Sequence, residues 1–367
     1  MKIGVLSSSR ADFGIYLPLL LQLKRENWVC LEIIAFGTHL SPHHGYTITE
    51  IEQVGFQSIH RIPGLLVSDD ESSISNAYGL VAINFSSFWA THNFDVVLCL
   101  GDRYEMSAAI QASIPFRVRL AHIHGGEITR GAIDNIYRDQ ISLAASIHFT
   151  AASPFSERIH QLKGGSDDVI VQTGSLSLED FSLSELPERK ELSEKFGFPD
   201  QEYLLVTIHP ETMATDENSL HADAAFQALE EICKEINLVI SMPNADTLGS
   251  LFRNAWDRLR SLHPKRVFLI EHFGKLNYFS AMSNARLIVG NSSSGIIESA
   301  SFGKYAVNLG KRQEGRLCSR NVVHSPFEKI SMLESIRETL KRGTFKGENA
   351  YYQPKAVEKI IRTLKTL

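Results

Sequence analysis

Residues 286–300 read Arg-Leu-Ile-Val-Gly-Asn-Ser-Ser-Ser-Gly-Ile-Ile-Glu-Ser-Ala. The apolar run Leu287-Ile288-Val289 stops at Gly290, the small residues Asn291, Ser292, Ser293, Ser294 and Gly295 follow, and Ile296 resumes an apolar pattern. Strand, small-residue loop, helix is the unit from which parallel sheets covered by helices are built. Small side chains let a ligand approach the backbone, and the unpaired amides that open a helix favour a phosphate. Glu298 falls about one turn into the expected helix, within reach of ribose hydroxyls. A plain serine cap with an acid in the first turn accounts for one serine, not for three beside an asparagine and a glycine.

The same alternation extends in both directions. Met1 to Leu6 reads as a strand, Ile15 to Lys24 as a helix and Val29 to Phe36 as a second strand, with further strands at Val96–Leu100, Arg119–Ile123 and Ile147–Thr150. Thr173 to Gln201 changes character around Pro187 and Pro199. A second series then runs through Tyr203–Ile208, Leu238–Met242, Val267–Ile270, Leu287–Val289 and Tyr305–Asn308. The expected architecture is therefore α/β in two Rossmann-like domains, 1–175 and 176–352, with a C-terminal helix at about 353–367 placed to pack back on the first. A chain of 367 residues exceeds what one core usually serves, which agrees with two domains.

Composition removes several functions. The net charge of −5 lacks the basic footprint of a general nucleic-acid binder. No apolar stretch approaches the roughly 20 residues that span a bilayer, and the N-terminal run turns polar at Ser7, too early for a signal peptide. Cys30, Cys99, Cys233 and Cys318 are widely spaced, and the first three sit in apolar runs. They read as buried reduced thiols, and a cytoplasmic location is expected.

In open α/β sheets ligands bind beyond the carboxyl ends of strands. Ser7-Ser8-Ser9-Arg10-Ala11-Asp12-Phe13-Gly14 follows the first strand without the glycine fingerprint of a dinucleotide fold and without a Walker A pattern. Arg10 at a strand exit suits a phosphate or carboxylate, while Asp12 can simply cap the next helix. Gly101-Asp102-Arg103-Tyr104-Glu105 follows a fully apolar strand. Asp102 is either a general base or a cap for the helix near Tyr104, with Arg103 an anion holder.

Ala121-His122-Ile123-His124-Gly125-Gly126-Glu127 places two imidazoles on one strand face by alternation. No third histidine or cysteine stands at a metal-site spacing, so acid/base use is expected and no metal. Asp134 and Arg138 share a helix face at i and i+4, which alone would be a surface ion pair. His209-Pro210-Glu211-Thr212 and Pro243-Asn244-Ala245-Asp246 follow strands of the second half, and Lys311, Arg312 and Arg316 place three cations after the strand beyond the serine loop. His39, His43 and His44 form a loop cluster with no expected metal.

Taken together and in order, Ser9-Arg10-Ala11-Asp12, Gly101-Asp102-Arg103-Tyr104-Glu105, His122-Ile123-His124-Gly125-Gly126-Glu127, His209-Pro210-Glu211-Thr212, Asn291-Ser292-Ser293-Ser294-Gly295 and Arg312-Gln313-Glu314-Gly315-Arg316 resemble the hydrolysing UDP-N-acetylglucosamine 2-epimerases of bacterial sialic acid synthesis. The resemblance covers nearly the whole chain. It implies a GT-B fold with two Rossmann-like domains facing a cleft, conversion of UDP-GlcNAc and water to N-acetylmannosamine and UDP, no cofactor, and a homodimer or homotetramer. Similar enzymes act on UDP-2,4-diacetamido-2,4,6-trideoxy sugars on the route to legionaminic acid.

On matching positions the resemblance implies UDP binding by Arg10, Arg103, His209, Asn244, Ser292, Ser293, Ser294, Gly295, Glu298 and Arg312. It implies that Arg10, Asp102, His124, Glu127, Asp134 and Arg138 surround the sugar, with His209 also counted among the catalytic groups. Asp102 is the first choice for acid/base work and Glu127 the second. Two positions depart from the family pattern: His124 stands where animal and non-hydrolysing relatives carry glutamate, and Asp139 stands where a histidine commonly follows the arginine. A GT-B glycosyltransferase and a non-catalytic nucleotide-sugar sensor are the alternative readings.

Overall fold

The structure is a computed structural model and describes residues 1–66, 68, 70–179, 186–243 and 249–367, the His44 side chain excepted. The chain divides into two compact units: Met1–Glu127 with Asp134–Asp180 and Tyr351–Leu367, and Ile128–Ile133 with Phe181–Ala350.

The first unit contains β1 (Lys2–Ser7), β2 (Cys30–Phe36), β3 (Ser58–Ile62), β4 (Val96–Leu100), β5 (Leu120–Ile123), β6 (Ile147–Thr150) and β7 (Val169–Gln172). They pair in the order β3-β2-β1-β4-β5-β6-β7, all parallel. The second unit contains β8 (Tyr203–Thr207), β9 (Asn237–Ser241), β10 (Val267–Ile270), β11 (Leu287–Gly290), β12 (Ala306–Leu309) and β13 (Val322–Ser325). Their order, β10-β9-β8-β11-β12-β13, repeats the same winding, again all parallel. In each sheet the winding reverses between its first and fourth strands, β1 beside β4 and β8 beside β11, which opens a crevice beyond their carboxyl ends.

Continuous apolar strands mark the sheet centres because helices cover both faces. Every residue of β4 and of β8 is buried. One face of the first sheet packs on the helix Arg10–Arg25 and on the C-terminal helix Ala356–Lys365, whose Val357, Ile360 and Leu364 recur at helical spacing. The other face packs on the helix Glu71–Trp89, and buried Trp89 donates to the Ala109 carbonyl at 3.0 Å. In the second unit Phe252, Trp256 and Leu259 line one stripe of the helix Gly249–Leu262. Truncating Trp89 or Trp256 to alanine would cost about 3–5 kcal/mol.

Three strands escape the reading by apolar runs: β3, β7 and β13. Each is a sheet edge with partly exposed positions throughout most of its length, so none needs an uninterrupted buried run. The first helix begins at Arg10, five residues before the expected start at Ile15, because Ser9 caps it and accepts from the Asp12 amide at 3.3 Å. Not all the cysteines are buried. Cys99 and Cys233 are, Cys318 is half-buried, and Cys30 is exposed because it opens β2 where the sheet is only beginning. Among the described residues no helix is long and apolar enough to cross a membrane.

Candidate active site

The crevice of the first unit is furnished by the loops after β1 and β4. Asp12 is buried and accepts from the Ser8 amide at 3.0 Å and the Ser8 hydroxyl at 2.6 Å, so it ties the β1 exit onto the helix behind. Burial pushes its carboxyl up, with Ser8 and the nearby Arg103 guanidinium opposing. Arg10 is the first helical residue and lies 3.8 Å from Glu50. His39, in the loop after β2, links the Ser7 hydroxyl and the Thr47 hydroxyl, both at 2.9 Å, and burial pulls its imidazole down to about 4.

Asp102 does not cap the following helix. That helix, Tyr104–Gln111, starts from Arg103, and the Asp102 carboxylate instead pairs with Nη2 of Arg138. Arg138 is only 2% exposed, and its Nη1 donates to the Glu127 carbonyl at 3.0 Å. Its burial rules out the reading of a surface ion pair on the helix Asp134–Ala144, which Asp134 opens one turn earlier. Arg103 forms a two-armed pair with fully buried Glu105, at 3.2 and 3.0 Å, which fixes its guanidinium at the strand exit.

The two histidines of the β5 motif separate. His122 lies within β5, but His124 follows the strand and has φ +65°, so alternation no longer relates them. His122 donates from Nε2 to the Gly101 carbonyl at 2.9 Å and accepts at Nδ1 from Ser142 at 3.0 Å. A carbonyl can only accept, which sets this tautomer, and burial pulls the imidazole down to about 3. His122 is thus a brace for the Asp102 turn and not an acid or base. His124 directs Nδ1 to the Glu127 carboxylate at 2.7 Å, while its Nε2 accepts from the Leu176 amide at 3.3 Å. Glu127 is buried, and the geometry makes a His124–Glu127 dyad joined through Arg138 to Asp102. Asp139 points elsewhere and forms a two-armed pair with Arg158 at 2.6 and 2.7 Å, which accounts for an acid at that position.

In the second unit the crevice between β8 and β11 is clamped by one side chain. Buried Asn291 accepts from the His209 amide at 2.7 Å and donates to the His209 carbonyl at 2.8 Å. The Asn291 carbonyl in turn accepts from Arg312 Nη1 at 3.3 Å and from Gln313 at 2.9 Å. Glu211 accepts the amides of Lys311 and Arg312 at 2.6 and 3.1 Å. His209, the serine loop and Arg312 are thus brought together. Of the three expected cations Arg312 reaches this loop, Arg316 donates to Thr129 at 3.0 Å, and Lys311 is exposed.

The helix after the serine loop is a single turn, Ser294–Ile297, continued by a tighter turn at Ser299–Phe302. Glu298 therefore sits at the end of the turn and not inside a long helix, buried at the junction. Ser292 and Ser294 approach each other at 3.4 Å, and the hydroxyl of half-buried Tyr278 lies beside both and beside Thr207 at 3.3 Å. Burial pulls the Lys275 ammonium down to about 8, with Glu298 opposing the shift. Tyr278 and Lys275 were not singled out from sequence, because a tyrosine and a lysine on a helix have no local signature. Asn244 lies outside the described residues. Among the described residues no cluster of three His, Cys, Asp or Glu is arranged for a metal.

The family model for UDP-N-acetylglucosamine 2-epimerase matches residues 21–365. The chain belongs to that family. Among the relatives of this epimerase-family chain is a Legionella pneumophila protein named UDP-N,N'-diacetylbacillosamine 2-epimerase (hydrolyzing), 32% identical over 367 residues, which span 100% of this chain and 96% of that one. A Neisseria meningitidis protein named UDP-N-acetylglucosamine 2-epimerase is 26% identical over 355 residues, covering 95% and 90% of the two chains. The crystal structure of a UDP-GlcNAc 2-epimerase from Neisseria meningitidis bound to UDP-GlcNAc superposes with a TM-score of 0.80 at 18% identity, covering 100% of both chains. The epimerase chain has the GT-B architecture of two parallel-sheet α/β units.

Proposed function

We propose that this chain is a hydrolysing UDP-N-acetylglucosamine 2-epimerase, which converts UDP-GlcNAc and water to N-acetylmannosamine and UDP. The observation that carries the reading is the connected set Asp102, Glu127 and His124, three groups able to take or give a proton, held together by the Arg138 guanidinium. Asp102 takes the C2 proton, the C1–O bond breaks, and UDP leaves with the electron pair, giving a 2-acetamidoglucal. Asp102 passes its proton to solvent; water then adds its oxygen to C1 and gives one proton to the Asp102 carboxylate, while the Glu127–His124 dyad, recharged from solvent, delivers a proton to C2 on the opposite face. Asp134 opens the helix that carries Arg138 and serves the sugar from there. Arg10, Arg103, His209, Ser292, Ser293, Ser294, Gly295, Glu298, Arg312 and Asn244 bind UDP, and the cations and loop amides stabilise the charge that develops on the diphosphate.

Incubation with UDP-GlcNAc in deuterated water tests the proposal. UDP release without an acceptor, with deuterium at C2 of the product, is expected; acceptor-dependent release with intact C2 stereochemistry would make the chain a glycosyltransferase. UDP binding without turnover of any candidate sugar would make it a sensor.

A second reading keeps the chemistry and changes the sugar to UDP-2,4-diacetamido-2,4,6-trideoxyglucose. Two relatives at 32% identity bear the name of that activity. A side-by-side product assay on both sugars separates the readings. The proposal places the protein in the cytoplasm, where free thiols such as its four cysteines are the rule. It also makes it a homodimer or homotetramer, a state supported by exposed Ile83, Ile136 and Leu143 on two helices of the first unit. Light scattering that found only monomer at micromolar concentration would remove that part.

A further inference from the structure

After Glu127 the chain leaves the first unit for six residues, Ile128–Ile133, and rejoins it at Asp134. Within the second unit these residues are held closely. The Arg130 amide donates to the Glu314 carbonyl at 2.8 Å, Arg316 Nη2 donates to the Thr129 hydroxyl at 3.0 Å, and the Ile133 amide donates to the Thr212 hydroxyl at 3.2 Å. Gly131 lies so close that a Cβ there would meet the Lys311 carbonyl oxygen at 1.9 Å. The turn that receives them, Lys311–Arg316, also fixes the serine loop through Arg312, Gln313 and the Asn291 carbonyl. One turn thus holds the proposed diphosphate loop on one side and this segment on the other.

We propose that Ile128–Ile133 is a strap through which the Lys311–Arg316 turn sets Glu127 and Asp134, with Thr129 and Gly131 as positioning residues. Glu127 immediately precedes the strap and Asp134 immediately follows it. A shift of the strap moves the Glu127 carbonyl, which Arg138 grips, and through Arg138 it reaches the carboxylate of Asp102. Occupation of the serine loop and Arg312 by UDP is thereby communicated along the chain to the groups that handle the proton. The inference rests on the epimerase reading for the roles of those groups, but the coupling itself is read out by UDP alone.

Thr129→Val preserves shape and removes the hydroxyl that accepts from Arg316, whereas Thr129→Ser retains it. Thr129→Val is expected to hold its melting temperature and bind UDP within about twofold of wild type while losing roughly tenfold in kcat, the scale of coupling through packed contacts. Thr129→Ser restores turnover. Gly131→Ala, which must displace the strap from Lys311, is expected to show the same split. In hydrogen exchange, UDP should protect amides 127–134 in the wild type and fail to do so in Thr129→Val. Normal kcat in both Thr129→Val and Gly131→Ala, or UDP binding that leaves exchange of 127–134 unchanged, overturns the strap. Protection of those amides without turnover of either sugar upholds the strap and defeats the epimerase reading. Failure to bind UDP at all removes both.

Discussion

The carboxylate of Asp102 is paired with a guanidinium, that of Arg138, whose other arm donates to the Glu127 carbonyl at 3.0 Å. One buried side chain therefore sets the relative placement of two carboxyl-bearing residues from different loops. Neither loop could fix that placement by itself.

Asp102→Asn retains shape and removes the base. Its expected effect is a loss of about 10²–10⁴ in the rate of UDP release, the contribution of a positioned acid or base, with UDP affinity kept. Removing the charge beside buried Arg138 should also cost about 1–2 kcal/mol of stability, discounted from a fully buried pair because Asp102 is partly exposed. Wild-type turnover in this variant would refute the role.

Glu298→Ala should weaken UDP binding by about 10- to 100-fold, since a hydrogen bond to a charged group contributes about 1.5–3 kcal/mol. Calorimetric titration with UDP reads this directly. Unchanged affinity would count against a ribose contact.

Asn291→Ala removes both arms of the clamp on His209 and leaves a buried amide and carbonyl unpaired, at about 1–3 kcal/mol each. Urea denaturation should show the second unit destabilised, with UDP affinity reduced in parallel. A variant of native stability and affinity would mean that the His209 loop holds its place without the clamp.

Acid should open the first unit before the second. His39, His122 and His148 all belong to the first unit, are fully buried, and are pulled from 6.5 to about 4, 3 and 4 by loss of hydration. From pH 6.5 down to those values the unfolded chain binds protons that the folded unit refuses. Stability is therefore complete above pH 6.5 and falls as pH drops, by about 1.4 kcal/mol per pH unit for each histidine. Hydrogen exchange at pH 7 and pH 5 would detect the loss in the first unit; earlier opening of the second would contradict it.

Much of this molecule was legible because its central strands are buried on both faces. The runs Val96–Leu100 and Ile147–Thr150 coincide with β4 and β6, and the residues singled out after strands lie beyond β1, β4, β5, β8 and β11. Three of the four edges were harder, since β3, β7 and β13 meet a neighbour on one side only and need no continuous apolar run, whereas the edge strand β10 keeps one at Val267–Ile270. Local patterning also misdirected His124, because alternation holds only within a strand and β5 ends at Ile123, one residue before it. Asp139, unexpected by family pattern, is explained by Arg158, a partner 19 positions away that no local motif announces.

Sequence alone determined the doubly wound class, the residues at strand exits and the kinship with nucleotide-sugar epimerases, because burial and turn chemistry are written at short range. Tertiary structure alone decided the partners. It gave Asp102 to Arg138 and not to a helix cap, made His122 a brace and His124 a dyad, and seated Ile128–Ile133 on the Lys311–Arg316 turn. Except for His124 and Glu127, three positions apart, those choices join residues from 21 to 187 positions apart, and a directional hydrogen bond exists only once the packed sheets have brought donor and acceptor within about 3 Å.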